Sequence, residues 1–220
     1  MAKLEWDKSG ERDFEMGVDR GVLYLQVAGA YPAGVAWNGL ISVAENPTGA
    51  ELTELWADNI QYAAFRSAEK FGATVEAYMH PDEFYACNGE KEVADGVYVG
   101  QQARQTFGLS YRTGIANDSA PDAEDYKIHL VYGATVNPSG KTYQSKNDNP
   151  EANTMSWEIT TVPVAVTGAK PTAHLVIDSR KVTAAGLTAL ENAIYGGAGA
   201  TSAMLPLPDA AIALATTTTP

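Results

Sequence analysis

The sequence predicts a mainly-β fold, and three observations carry that reading. Apolar and polar residues alternate along much of the chain, the alternating runs are rich in valine, threonine and aromatics, and clusters of turn-forming residues separate them. Alternation at period two puts one set of side chains on each face of a strand, the pattern of a half-buried antiparallel sheet. The architecture expected is a β-sandwich, or a set of barrel-forming sheets that close by association.

In FGATVEAYM (71–79), Phe71, Ala73, Val75, Ala77 and Met79 share one face, while Thr74, Glu76 and Tyr78 share the other. QTFGLSYRTGI (105–115) brings Phe107, Leu109, Tyr111 and Ile115 together. YKIHLVYGATV (126–136) aligns Tyr126, Ile128, Leu130, Tyr132 and Val136. MSWEITTVPVAV (155–166) and TAHLVIDS (172–179) follow the same rule, with Thr and Val suited to strands. The turns ENPTG (45–49), ADN (57–59), NDSAPDAED (117–125) and NPSGK (137–141) punctuate the runs.

Two helices interrupt the pattern. PDEFYAC (81–87) opens on Pro81 at a first helical position, with Asp82 and Glu83 near the positive end of the dipole. In TAAGLTALENAIYGG (183–197), Thr183 is placed to cap, Leu187, Leu190 and Ile194 form a stripe, and Gly196 and Gly197 end the helix. Such a helix is expected to lie across one sheet face. Gly186 weakens its first turn by roughly 1 kcal/mol relative to Ala. No internal repeat or interior linker divides the chain, so residues 1–220 are expected to form a single domain. Residues 1–13 read as an N-terminal arm, and residues 205–220, LPLPDAAIALATTTTP, as an extended tail.

Composition narrows the function. The chain is 45% hydrophobic and 19% charged, values of a globular protein. Its formal charge of -12 is opposite to that of a nucleic-acid binder, which needs Lys and Arg to neutralise phosphates. The same charge disfavours an anionic membrane surface. A single cysteine, Cys87, cannot form an internal disulfide and is expected to pack against an apolar helix face. The start, MAKLEWDKSG, lacks the apolar core of a signal peptide, and no run reaches a membrane-spanning length. These features predict a soluble protein made in a cytoplasm and kept there or released by lysis.

No catalytic, cofactor or metal site is expected. YGGAGATS (195–202) follows a helix instead of opening one and lacks the Gly-Lys-Ser/Thr of a phosphate loop. His80, His129 and His174 show no His-x-x-x-His spacing, and no Cys-x-x-Cys accompanies them. His129 and His174 sit opposite the apolar positions of their strands, so a surface or interface place is expected for both. No Gly-x-Ser-x-Gly elbow occurs, although a triad converging in space leaves no local trace. The acidic loops 117–125 and 147–151 lack EF-hand ligand spacing and read as solvated.

One stretch departs from these readings. No Lys or Arg occurs from Gly21 to Phe65, while Glu45, Glu51, Glu54 and Asp58 fall within it. In ELTELWA (51–57), Leu52, Glu54 and Trp56 alternate with Thr53, Leu55 and Ala57, giving two mixed faces that suit either a solvated edge or a subunit contact.

GVDRGVLYLQ (17–26), YPAGVAWNGL (31–40), WADNIQY (56–62), FGATVEAYMHPDEF (71–84), QTFGLSYRT (105–113), YKIHLVYGATVNPS (126–139) and PTAHLVIDSRKVTAAGLTALENAIYG (171–196) together resemble the major tail tube proteins of long-tailed siphophages. The resemblance runs in order over most of the chain. It implies a β-sandwich with a packed helix, forming six-membered rings that stack into a hollow tail tube in the virion. It further implies a tape measure protein inside the tube, tail terminator and distal tail proteins at its ends, and passage of double-stranded DNA without specific binding. Catalysis is not implied.

On that reading Tyr24, Tyr31 and Trp37 are expected to anchor the subunit interface, with Asp19 and Arg20 making polar contacts, because aromatics and Arg are enriched in interface cores. The alternative for Trp37 is a core place within its own subunit. A lumen that passes DNA benefits from an acidic lining without bases, so Glu45, Glu51, Glu54 and Asp58 are expected to face it. Hairpin loops such as 137–152 and the N-terminal arm are candidates for bridging rings. Competing readings are the inner tube of a contractile tail or injection machine, and a β-sandwich binding module.

Overall fold

A computed structural model describes residues 3–122, 125–145, 152–197 and 202–217. In chain order the elements are β1 (Asp13–Leu25), β2 (Gly34–Ala36), β3 (Leu40–Glu45), β4 (Thr48–Gly49), β5 (Leu52–Ala57), β6 (Ile60–Arg66), β7 (Glu69–Lys70) and β8 (Gly72–Ala77). They continue with α1 (Phe84–Cys87), β9 (Lys91–Ala94), β10 (Val97–Val99), β11 (Phe107–Asn117), β12 (Asp125–Val136), β13 (Met155–Thr161), β14 (His174–Asp178), α2 (Ala184–Tyr195) and α3 (Pro208–Ala215). The chain is mainly β, as its alternation predicts.

One antiparallel sheet carries the fold, in the order β2-β1-β11-β12-β13-β8-β3, with β14 also paired to β12. The sheet forks at β12. Lys127–Val131 pair with β14, and Ala134–Val136 pair with β13. Gly133 sits at the fork with φ +59, and a Cβ there would overlap the carbonyl oxygen of Val162. One extra residue of β12 is accommodated between Val131 and Ala134, so the faces exchange beyond that point. This corrects the alignment of Val136 with Ile128, Leu130 and Tyr132. Val136 packs instead with Val131 and Ala134 on the opposite side.

That exchange separates two cores. The first is enclosed where β13, β8 and β3 come over the face of β1 and β11, and it holds Leu23, Trp37, Val75, Phe84, Leu109 and Trp157. Rings of Trp37 and Phe84 lie 4.6 Å apart, and those of Phe84 and Trp157 5.1 Å apart, within the range of favourable aromatic pairs. Cys87 packs here, and burial pushes its thiol up to about 12, so it is a buried hydrophobe and not a nucleophile. Ala73, Val75 and Ala77 point inward as their alternation requires, whereas Met79 lies past the end of β8 and is exposed.

The second core lies on the other face, under α2 and α3. Val22, Ile128, Leu130 and Ile177 from the sheet meet Leu190 and Ile194 of α2 and Ala211 and Ala215 of α3. Tyr24, Tyr31 and Tyr132 bury their rings there and satisfy their hydroxyls, whereas the buried Tyr195 hydroxyl at the end of α2 finds no partner among the described residues. Tyr24 donates to the Ile194 carbonyl (2.6 Å), Tyr132 donates to the Pro206 carbonyl (3.0 Å), and Tyr31 accepts from the Gly133 amide (2.8 Å). Thr183 caps α2, its hydroxyl accepting from the Gly186 amide at 3.0 Å.

Helix α3 corrects the expectation of an extended tail over 205–220. Pro208 occupies a first-turn position, where a missing N–H does no harm, and the Ala-rich run behind it is a strong helix former. Asp209 fixes the start by accepting from the Thr167 amide (2.9 Å) and hydroxyl (2.7 Å). Docking of α3 explains Gly186, because a Cβ there would overlap the Ala215 carbonyl oxygen. Gly186→Ala is therefore expected to destabilise the fold by about 1–3 kcal/mol, despite its better helix propensity. Urea denaturation measures this, and an unchanged or raised midpoint would show that α3 yields freely.

Residues 3–12 form no helix or strand, and Leu4 and Trp6 in them are exposed. No helix among the described residues is long and apolar enough to cross a membrane. The threonine tip from 218, the acidic loop 147–151, part of 117–125 and part of the Gly-rich loop at 198–201 lie outside the described residues.

Candidate assembly surface and a histidine–carboxylate cluster

Strands β5 and β6 form a hairpin that pairs with no other strand of the described chain. Its turn residues Asp58 (φ 51) and Asn59 (φ 64) are both left-handed, the geometry of a two-residue turn that matches strand twist. Every residue of β5 is exposed, and Leu52, Leu55, Trp56, Ile60, Tyr62 and Phe65 of the hairpin are 46–74% exposed. An isolated two-stranded hairpin is marginal in water, and this one leaves a broad apolar surface open. Pairing capacity is open elsewhere too. β3 pairs only β8, and residues 13–19 of β1 have a strand on one side only among the described residues.

The structure redistributes the expected interface residues. Tyr24, Tyr31 and Trp37 are buried within their own chain, with Trp37 3% exposed and its indole N–H donating to the Met79 carbonyl at 2.9 Å. They are core residues, which corrects their assignment as subunit anchors: a ring enclosed by its own sheet presents nothing to a neighbour. Asp19 is engaged within the chain as well, accepting two bonds from Arg112 (2.7 and 2.6 Å) that hold its carboxyl below the usual range. Arg20 is exposed at a bulge of β1 with φ 48, its guanidinium 5.6 Å from the Tyr195 ring.

The four acids separate into two groups. Glu51, Glu54 and Asp58 are exposed on the β5–β6 hairpin, from its base to its tip, and Glu54 accepts from the Trp56 indole N–H at 3.2 Å. Glu45 is different. At the end of β3 it reaches across to the central sheet, where the Tyr111 hydroxyl donates to its Oε1 at 2.8 Å. Glu45 is thus engaged within its own chain while still 41% exposed.

Beside that carboxylate lie both strand histidines. His129 Nδ1 is 3.5 Å and His174 Nε2 3.7 Å from Glu45 Oε1, and the two nitrogens are 3.1 Å apart. Neither histidine is on an open surface, the first of the two places expected for them. His129 stacks on Tyr111 (4.6 Å, 7°), and His174 lies against Phe71 (4.3 Å). Burial, and then the neighbouring His174, pushes His129 down to about 4, and burial likewise lowers His174 against the opposing pull of Glu45. Both rings are neutral at pH 7. Sequence reasoning missed the cluster because its members come from β3, β12 and β14 with no local spacing. The only trace was a histidine on the second face of a strand buried on both faces.

The fold and these surfaces define a mainly-β protein with one helical layer and an unpartnered apolar hairpin. No protein-family model matches the chain, and no curated protein matches it. Among solved structures it is similar to the sheath–tube complex of an extracellular contractile injection system (PVC) in the extended state. That match has 9% identity, covers 72% of this chain and 88% of that one, and has a TM-score of 0.29, too distant to define a fold or a function.

Proposed function

We propose that the chain is a self-assembling structural subunit of a tail tube, stacking as rings into a hollow conduit for double-stranded DNA. The observation that carries this reading is the β5–β6 hairpin, whose apolar side chains and open backbone have no partner among the described residues. A second copy is the occupant that fits. The open edges of β1 and β3 offer pairing to an identical neighbour, and a head-to-tail contact that repeats gives a ring or a filament. The resemblance of the sequence to siphophage tail tube proteins supports the same reading, along with the six-fold ring, the enclosed tape measure protein and a role that involves no catalysis. Tyr24, Tyr31 and Trp37 support it only indirectly, by holding the sheet that presents the edges.

Negative-stain microscopy and analytical ultracentrifugation of the purified full chain test the proposal. Rings or hollow tubes are expected, and a strictly monomeric species at high concentration would overturn it.

Glu51, Glu54 and Asp58 are assigned to the channel, where their charge keeps DNA phosphates from adhering. Replacing all three with Lys is expected to leave tubes intact but make them retain duplex DNA, with retention falling steeply as salt rises. A co-sedimentation assay checks this. Tubes that ignore DNA in both forms would place the three acids away from the lumen.

A further inference from the structure

We propose that Glu45, His129 and His174 form a binding site for one first-row transition metal ion of the zinc type. The argument begins with the triangle of potential ligand atoms, whose sides are 3.1, 3.5 and 3.7 Å. A point equidistant from all three lies about 2.0 Å from each, which is the Zn–N and Zn–O bond length. Two imidazoles and one carboxylate also form a donor set suited to zinc and its neighbours, whereas magnesium and calcium take oxygen ligands.

Neighbouring groups orient the donors. Thr113 donates to Glu15 Oε2 at 3.3 Å, so its oxygen accepts from His129 Nε2–H at 3.0 Å. That fixes the proton on Nε2 and leaves the Nδ1 lone pair facing the centre of the triangle. Lys127 pairs with the same Glu15, which holds this outer chain in place. Tyr111 donates to Glu45 Oε1 and stacks on His129, fixing two ligands at once. This is the supporting shell that metal-binding histidines and carboxylates ordinarily have. The rings are nearly enclosed, while Glu45 is 41% exposed, so an ion has a way in and a solvent-facing fourth position. Bound there, it would tie the end of β3 to β12 and β14 across the first core. The inference stands independently of self-assembly.

The test uses the full chain after treatment with a chelator, titrated with zinc by calorimetry and with cobalt(II) by visible absorption. One ion per chain and the intense bands of four-coordinate cobalt are expected. His174→Ala should lose more than the roughly 10–100-fold in affinity that follows loss of a supporting hydrogen bond, and Thr113→Val should lose an amount within that range. Circular dichroism checks that both variants fold. Absence of saturable one-to-one uptake, a weak octahedral cobalt spectrum, or equal affinity in a folded His174→Ala chain would each overturn the site. Should His174→Ala not fold, the wild-type stoichiometry and cobalt spectrum decide alone.

Discussion

Replacing Trp37 with alanine is expected to unfold the chain or bring it close to unfolding, instead of yielding a folded monomer unable to assemble. The ring is 3% exposed, packs on Phe84 and Trp157, and donates to the Met79 carbonyl. Truncating a buried tryptophan leaves a cavity and an orphaned acceptor, a loss of about 3–5 kcal/mol. Domains of this kind have total stabilities of about 5–15 kcal/mol, so the remaining margin is small. Far-UV circular dichroism and urea denaturation measure it. A variant with native spectra and an unchanged midpoint, but no association, would return Trp37 to an interface role.

Trp56→Ala should behave in the opposite way. Trp56 is 64% exposed on a hairpin that pairs with no other strand among the described residues, so the monomer is expected to stay within about 0.5 kcal/mol of its original stability. A buried interface tryptophan contributes about 2 kcal/mol or more to association, which corresponds to about a 30-fold rise in the concentration needed to assemble. Sedimentation across a concentration series reads this directly. An unchanged assembly threshold would show that the hairpin packs on nothing.

The contrast between these two tryptophans shows what was legible in the sequence. Alternation identified the strands, since Phe107, Leu109 and Tyr111 must face one way whatever they pack against. The cap and stripe of α2 were equally local signals. Whether an aromatic side chain meets its own sheet or a neighbour is a tertiary matter, which the local residues of YPAGVAW and WADNIQY do not record. Trp37 proved internal and Trp56 external. Val136 was misplaced because Gly133 exchanges the faces, an effect a strict period of two does not contain. Helix α3 was obscured by its prolines, which mark a start as readily as a break. Glu45, His129 and His174 meet only because β3, β12 and β14 converge.

The fork at β12 also sets the order in which the molecule opens. Its backbone is shared among β11, β13 and β14, and both hydrophobic cores rest on it. Neither branch of the sheet can detach without exposing part of that strand, so its amides exchange with deuterium only when the whole fold gives way. The β5–β6 hairpin lies at the other limit, with amides that exchange through local opening until a partner covers them. Hydrogen exchange by mass spectrometry, before and after association, should therefore find β12 slow throughout and see protection newly acquired at 52–66.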